Sequence, residues 1–302
     1  MVKGQKGKGS QHAAKRIWKM GGFMTNQTRR PLAVGLIGYG AIGRVVAEAI
    51  AEGLAGNVVL KAILCRDVHK HRKDNPSSAQ VNSTFMDDPE KFFDVLFDLV
   101  VEAAGQDALR EFGSRVLDSG RHLLITSVGA LTEDAFLGRL VKSAEKSRSR
   151  IFLISGALPA VDWMGAAALA GACSAAITQA KPAASWRGTP AAEMIDLDGL
   201  KRPTCFFEGT AREAASRFPK SSNITAMLAL ATAGLDKTKV KLVADPTRSE
   251  MHTVIDFRSE VGNLRVEWNG VPSETNPKTS ADVPFTVIKA LRNLTGTVCY
   301  GL

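Results

Sequence analysis

The sequence predicts an α/β protein with two domains, in which a doubly wound parallel sheet is followed by an α+β domain with a mixed sheet. Over residues 31–154, strand and helix patterns alternate, which is typical of a parallel sheet with helices on both faces. Over residues 155–283, strand-like segments dominate, which indicates an α+β domain built on a mixed sheet. We expect the C-terminal helix, within residues 284–302, to pack back on the first domain. The 302 residues are enough for both domains.

Composition and charge exclude several classes of protein. No run of about 18 apolar residues is present, so no membrane span is expected. The net charge is +9, but residues 1–30 carry eight basic side chains and no acid. The rest of the chain therefore has a charge of about +1, without the bulk basic character of a nucleic-acid-binding protein. The four cysteines are widely spaced, which predicts reduced thiols in the cytoplasm and no metal site.

Residues 1–30 are rich in glycine and lysine and lack periodicity, so we expect them to be a disordered basic extension. Three explanations stay open: an upstream start codon, a basic tail or a transit peptide. An extension without function is the preferred interpretation, because the stretch lacks the amphipathic Arg/Ser pattern of a transit peptide.

A glycine-rich turn follows the first predicted strand, Ala33 to Ile37. Gly38, Gly40 and Gly43 have the GxGxxG spacing between a strand and a helix, the context in which this motif binds a dinucleotide. Gly38 permits the tight turn, Gly40 lets a pyrophosphate approach the backbone, and Gly43 lets the helix pack on the strand. Free N–H groups of the first helical turn, at Ala41 and Ile42, then face the phosphates. The first domain is therefore predicted to be a Rossmann domain that binds NAD or NADP.

The second strand, Val58 to Cys65, leads to the position that contacts the adenosine ribose. NAD-specific enzymes usually carry an acidic residue there, whereas this strand is followed by Arg66. Arg66 either pairs with the 2′-phosphate of NADP or is a solvated loop charge. We expect the enzyme to use both cofactors.

The remaining elements of the first domain follow the alternating pattern, with a polar connection at residues 67–90. Ala104 and Gly105 follow the strand Phe97 to Ala103, and such small residues suit the crevice where ligands bind in open α/β sheets. A helix with Thr132 as its N-cap is predicted over Thr132 to Glu145. The other predicted elements are the helix Ala108 to Asp118 and the strands His122 to Thr126 and Ile151 to Ile154.

In the second domain, five strands and three helices are predicted before the final helix, Pro284 to Leu294. The strands are Ala175 to Lys181, Thr204 to Glu208, Val240 to Ala244, His252 to Ser259 and Asn263 to Trp268. The helices are Trp163 to Gly171, Ala211 to Phe218 and Asn223 to Thr232.

Several blocks that follow one another along the chain resemble the L-aspartate dehydrogenase family. They extend over nearly everything after residue 31, so the resemblance is far more specific than the glycine motif alone. The blocks are GYGAIG (38–43), EAAG (102–105), TSVGAL (126–131), SGALPAVD (155–162), KPAASWRGTPAAE (181–193), FEGTAREAASRFPKSSNITA (207–226), GLDKTKVKLVADP (234–246), His252 and NPKTS (276–280).

The resemblance implies oxidation of L-aspartate to iminoaspartate with NAD or NADP, either for NAD synthesis or with hydrolysis to oxaloacetate and ammonia. It also implies a homodimer, with residues 155–283 as the substrate and dimerisation domain. The family's catalytic histidine matches His252, a residue type that exchanges protons near neutral pH. We therefore expect His252 to be the general base, acting on the substrate amine or on the water that attacks the imine; the alternative is a histidine that only begins a strand. Glu250 stands where the family usually has Asn, and a nearby carboxylate favours an imidazolium.

The resemblance also places the nicotinamide beside Ala130 and Asn223. Ala130 leaves room for the ring, and Asn223 offers an amide, although Asn223 is also a candidate N-cap of the helix that follows. Aspartate has two carboxylates, for which we expect Lys181, Lys278, Thr279 and Ser280 to supply donors. Each lysine is alternatively a solvated surface charge.

Two other functions stay open at this point. One is reduction of an imine or 2-oxo acid related to the same dicarboxylate. The other is a non-catalytic sensor that binds the dinucleotide.

Overall fold

The structure, a computed structural model, describes residues 30–69 and 84–301. The predicted basic extension lies outside the described residues except for Arg30, and so does most of the polar connection after residue 69. In the described residues no helix is both long and apolar enough to cross a membrane.

The first domain contains a parallel sheet, which has six strands in the described part of the chain, in the order β3-β2-β1-β4-β5-β6. The order reverses direction between β1 and β4, and such a switch point forms the ligand crevice of doubly wound sheets. The strands are β1 (Leu32–Ile37), β2 (Val58–Leu64), β3 (Thr84–Met86), β4 (Leu99–Glu102), β5 (His122–Ile125) and β6 (Ile151–Leu153).

Helices cover both faces of this sheet, because its strands are almost continuously apolar and need burial on each side. The helices are α1 (Ala41–Ala51), α2 (Pro89–Asp94), α3 (Gln106–Asp118) and α4 (Asp134–Ser147). The C-terminal helix α9 (Val283–Thr295) returns to the first domain, where Val287, Ile288 and Leu291 join the same core as α1.

The second domain is built on a mixed sheet with the order β11-β10-β7-β9-β8, in which only β7 and β9 are parallel. The strands are β7 (Cys173–Pro182), β8 (Thr204–Thr210), β9 (Lys239–Asp245), β10 (Met251–Ser259) and β11 (Gly262–Gly270). A two-stranded sheet follows, with β12 (Pro272–Ser273) and β13 (Asn276–Ser280).

One face of the mixed sheet is buried under helices, and the other is exposed. Alternate residues such as Thr253, Ile255 and Phe257 are buried, whereas Asp256 and Arg265 are exposed on the other face. The helices are α5 (Val161–Ala168), α6 (Ala191–Met194), α7 (Ala211–Arg217) and α8 (Asn223–Ala231).

The predicted fold class is confirmed, but several elements differ from the prediction. The polar connection contains β3 and the start of α2, so the predicted third strand is the fourth. Thr132 is not an N-cap, because residues Val128–Thr132 form a 3-10 turn and α4 begins at Asp134 after Glu133. The hydroxyl of Thr132 donates to Gly129 O instead, at 2.9 Å. Local residue preference cannot distinguish these alternatives, because tertiary packing of the turn decides between them.

Candidate active site

The nucleotide turn, residues 38–43, has the geometry that a pyrophosphate needs. A Cβ at Gly38 would lie 2.6 Å from Ala103 O, and one at Gly43 would lie 2.1 Å from Gly38 O, so close backbone packing excludes side chains at both. A Cβ at Gly40, by contrast, would meet nothing within 4 Å. Protein packing therefore gives no reason for glycine at residue 40, whereas close approach of a ligand does.

The N-terminus of α1 fits the same ligand. Gly40 is the N-cap, no side chain caps the first turn, and no acidic residue lies in it. The N–H groups at Ala41 and Ile42 are therefore left for an anion at the positive end of the helix dipole. The residues of the turn fit the NAD or NADP expected there.

Glu102 joins two loops at the carboxyl ends of β4 and β5. Its Oε1 accepts hydrogen bonds from Ala104 N (2.9 Å), Gly105 N (2.8 Å) and Ser127 Oγ (2.9 Å), and its Oε2 accepts from Ser127 N (3.1 Å). Burial raises the pKa of Glu102, and the four hydrogen bonds oppose that rise. The carboxylate thus shapes the crevice floor that contains the predicted cofactor residues Ala104 and Gly105.

Asn223 connects the second domain to this crevice. Its Oδ1 accepts from Gly129 N at 2.9 Å. The alternative that Asn223 is an N-cap is wrong, because α8 begins at Asn223 itself and its N-cap is Ser222. Nδ2 of Asn223 makes no hydrogen bond with the residues that the structure describes, and Asn223 is exposed. Ala130, which follows Gly129 in the chain, is fully buried.

Arg66 lies two residues beyond the end of β2 and is exposed. The position agrees with an approach to the adenosine ribose, and nothing in the described chain pairs with the guanidinium. Both interpretations of Arg66 therefore stay predictions.

Lys181 lies near the end of β7 and is unusual for a lysine. Its Nζ is 3.0 Å from Ser221 Oγ and 4.8 Å from the centre of the Trp186 ring. It forms no ion pair within the described residues, and desolvation lowers its pKa to about 8. A desolvated cation without a carboxylate partner is suited to bind a carboxylate ligand.

His252 begins β10 directly opposite Ala180 of β7 and Asn269 of β11. Its Nδ1 is 3.0 Å from Asn269 Oδ1, and its Nε2 is 3.1 Å from Glu267 Oε1. The carboxylate beside the ring is therefore Glu267, and among the described residues Glu250 forms no ion pair with it. The side chain of His252 is 14% exposed, so the ring is sheltered but reachable.

Ser280 and Thr279 lie beside the same part of the sheet. Ser280 Oγ is 3.5 Å from the position of a Cβ on Gly270 and is buried without a hydrogen-bond partner in the described chain. Thr279 Oγ1 accepts from Asn276 Nδ2 at 3.1 Å. The side chain of Lys278 lies outside the described part of the structure.

These residues gather at one end of the mixed sheet, which we call the substrate end: residues 180–182, 251–253 and 268–270. Because neighbouring residues of a strand point to opposite faces, Lys181 lies on the helix-covered face and His252 on the other. The structure thus brings both residues to one edge but does not place them in contact. Lys181 contacts Ser221, two residues before Asn223, so the substrate end adjoins the crevice of the first domain.

Sequence reasoning missed four polar residues of the site: Glu102, Arg248, Glu267 and Asn269. Glu102 lies within a block quoted for the family resemblance, and its place at the end of an apolar strand was an available signal. The other three are ordinary polar residues in the sequence. Strand register brings Glu267 and Asn269 to His252, and the turn before β10 brings Arg248 to Asn269. In the described residues no group of three or more His, Cys, Asp or Glu side chains could hold a metal ion.

Comparison with known families supports the description of both the first and the second domain. Residues 38–153 match the NAD-binding domain of homoserine dehydrogenase, and residues 162–294 match the C-terminal domain of aspartate dehydrogenase. The L-aspartate dehydrogenase of Ralstonia pickettii is 38% identical over 262 residues, which cover 87% of this chain and 97% of the relative. That of Acinetobacter baumannii is also 38% identical, over 85% of this chain and 95% of the relative.

Solved structures show the same architecture. Aspartate dehydrogenase from Thermotoga maritima superposes with a TM-score of 0.67 and 25% identity, over 89% of this chain and 99% of that one. A hyperthermophilic archaeal homoserine dehydrogenase in complex with NADPH has a TM-score of 0.53 and 13% identity, over 85% of this chain and 96% of that one. The second likeness concerns the fold alone.

Proposed function

The chain belongs to the L-aspartate dehydrogenase family and is an NAD(P)-dependent dehydrogenase, and we propose that it oxidises L-aspartate to iminoaspartate with His252 as general base. The observation that carries the proposal is the position of Lys181. This desolvated cation, without a carboxylate partner among the described residues, lies at the substrate end and adjoins the nucleotide crevice through Ser221 and Asn223.

Residues 38–43 would hold the cofactor pyrophosphate, and Ala130 and Asn223 would lie beside its nicotinamide. The bound nicotinamide supplies a hydride acceptor for the substrate Cα. Lys181 pairs with one substrate carboxylate. The hydroxyl of Ser280, which has no partner in the described chain, donates to the other together with Thr279 and Lys278. These contacts orient the Cα–H bond, since fixed geometry lowers the barrier of the transfer.

His252 accepts a proton from the substrate ammonium group. The amine lone pair that this releases forms the C=N bond as the hydride leaves Cα, so the products are iminoaspartate in its protonated iminium form, the reduced cofactor and protonated His252. Free iminoaspartate supplies NAD synthesis or hydrolyses to oxaloacetate and ammonia. The free cysteines of the described chain support a reducing, cytoplasmic setting, and the exposed face of the mixed sheet supports a homodimer.

The test compares the wild-type protein with His252→Ala by following the absorbance of reduced cofactor after L-aspartate is added. We expect the variant to lose kcat by about 100- to 10,000-fold, the usual contribution of a general base. Its dissociation constant for the cofactor, measured by fluorescence titration, should stay unchanged. Wild-type turnover of oxaloacetate with ammonia but not of aspartate would favour the reductase, and cofactor binding without any turnover would favour the sensor.

A further inference from the structure

We propose that Asn269 and Arg248 are positioning residues that hold neutral His252 in the tautomer with its hydrogen on Nδ1. This tautomer leaves Nε2 as the nitrogen that accepts the proton from the substrate. The inference rests on the proposed function of His252 as general base. It adds the residues that select the reactive nitrogen.

Arg248 determines which end of the Asn269 amide faces the histidine. The Nη1 of Arg248 is 3.4 Å from Asn269 Oδ1. Because a guanidinium can only donate, the Asn269 amide turns its oxygen, and not its NH₂ group, toward Arg248. Arg248 is itself anchored, because its Nε donates to Asp245 Oδ2 at 3.1 Å. Asp245 is buried, and its other oxygen accepts from Thr247 N and Thr247 Oγ1 at 2.9 and 2.6 Å.

The same amide oxygen selects the protonated nitrogen of the ring. Asn269 Oδ1 lies 3.0 Å from His252 Nδ1, and since that oxygen can only accept, Nδ1 must donate. The contact is built into the sheet, because His252 and Asn269 are directly opposed in the register of β10 and β11. A neutral imidazole carries one hydrogen, so its lone pair is then on Nε2.

Glu267 contacts the reactive nitrogen in the protonated state. Its Oε1 is 3.1 Å from Nε2, and a carboxylate only accepts, so this contact is a hydrogen bond when Nε2 carries a hydrogen. The side chain of Glu267 is 57% exposed, whereas that of His252 is 14% exposed. The proposal requires this exposed carboxylate to turn into solvent when Nε2 carries no hydrogen, so that Nε2 can accept the proton from the substrate.

The first measurement reads the tautomer directly, by nitrogen NMR of the full-length protein labelled at its five histidines. His252→Gln assigns the signal. In the wild type we expect neutral His252 to carry its hydrogen on Nδ1. Asn269→Leu, which removes the acceptor, should give a mixture of tautomers, whereas Asn269→Asp should keep the Nδ1 form because its oxygens accept from both neighbours. Arg265→Gln, on the same strand and face, breaks an exposed ion pair with Asp256 and should leave the signal unchanged.

The second measurement is kinetic. Asn269→Leu should lower kcat by about 10- to 100-fold with little change in KM, and Asn269→Asp should restore most of it, as for outer partners that orient a histidine. Arg248→Gln provides a second variant, because it frees the Asn269 amide to turn. Like Asn269→Leu, it should shift the NMR signal of His252 toward a mixture of tautomers.

A wild-type ring with its hydrogen on Nε2, or an Asn269→Leu ring with an unchanged signal, would overturn the inference. A confirmed tautomer in a protein that never oxidises aspartate would overturn the proposed function alone.

Discussion

The nucleotide turn presents the backbone N–H groups of Ala41 and Ile42, whereas the substrate end presents side chains from three separate strands. In the turn, Gly38 and Gly43 are needed for packing and Gly40 leaves space for the ligand. At the substrate end, Lys181, His252 and Asn269 come together only because β7, β10 and β11 pair in one register. The difference teaches that the first site depends on local backbone conformation and the second on the assembled sheet.

The largest expected effect contrasts two glycines of the turn. Gly43→Ala places a Cβ 2.1 Å from a backbone oxygen, so we expect the free energy of unfolding to fall by about 3 kcal/mol, near the upper end of usual overpacking costs. Gly40→Ala should leave that free energy nearly unchanged, because its Cβ enters open space, and should instead weaken cofactor binding. Urea unfolding and fluorescence titration measure the two quantities. Equal destabilisation by both variants would mean that Gly40 is not reserved for a ligand.

The next effect concerns the charge at the substrate end. Lys181→Met should raise KM for aspartate by about 10- to 100-fold, because a hydrogen bond to a charged group contributes about 1.5–3 kcal/mol. In the wild type, the affinity for a dicarboxylate should fall as pH rises through about 8, where Lys181 loses its proton, and the variant should lack this change. Lys220→Met replaces an exposed lysine nearby and serves as the control.

The same variant should also stabilise the ligand-free protein. The folded-state pKa of Lys181 lies below the usual 10.5, so the unfolded chain binds more protons between about pH 8 and 10.5. The cost of the buried charge is therefore present in full below about pH 8 and is relieved as pH rises through that window. Thermal unfolding at neutral pH should show a higher Tm for Lys181→Met than for the wild type. A lower Tm would mean that the contacts of Lys181 with Ser221 and Trp186 outweigh its desolvation.

A smaller effect is expected at Glu102. This residue tests the contrast between the two sites, because here a side chain and not the backbone shapes the crevice of the first domain. Glu102→Gln places an NH₂ group against Ser127 N, which leaves a buried donor unpaired and should cost about 1–3 kcal/mol in the free energy of unfolding. Glu133→Gln alters an exposed carboxylate of the same domain and should cost little. Urea unfolding distinguishes the two, and a harmless Glu102→Gln would mean that the hydrogen bond from Ser127 N contributes little to the free energy of unfolding.

The smallest effect is expected at Arg66, which decides between the two cofactors. Arg66→Ala should lower kcat/KM for NADP relative to NAD by about tenfold, because a charge-assisted contact with the 2′-phosphate is lost at an exposed site. Lys61→Ala, an exposed residue of β2, is the control. An unchanged ratio would make Arg66 a surface charge.

The sequence by itself determined the Rossmann fold, the mixed sheet and the nucleotide turn, because glycine spacing and apolar strands act over short distances along the chain. It also pointed to Lys181 and His252 through resemblance to a family. It did not determine the 3-10 turn at Val128–Thr132, the contact of Asn223 with Gly129 or the network of Arg248, Asn269 and Glu267 around the histidine. Only the tertiary structure decided these, since a polar residue gains its partner from strand register and domain packing, which bring together groups far apart in the chain.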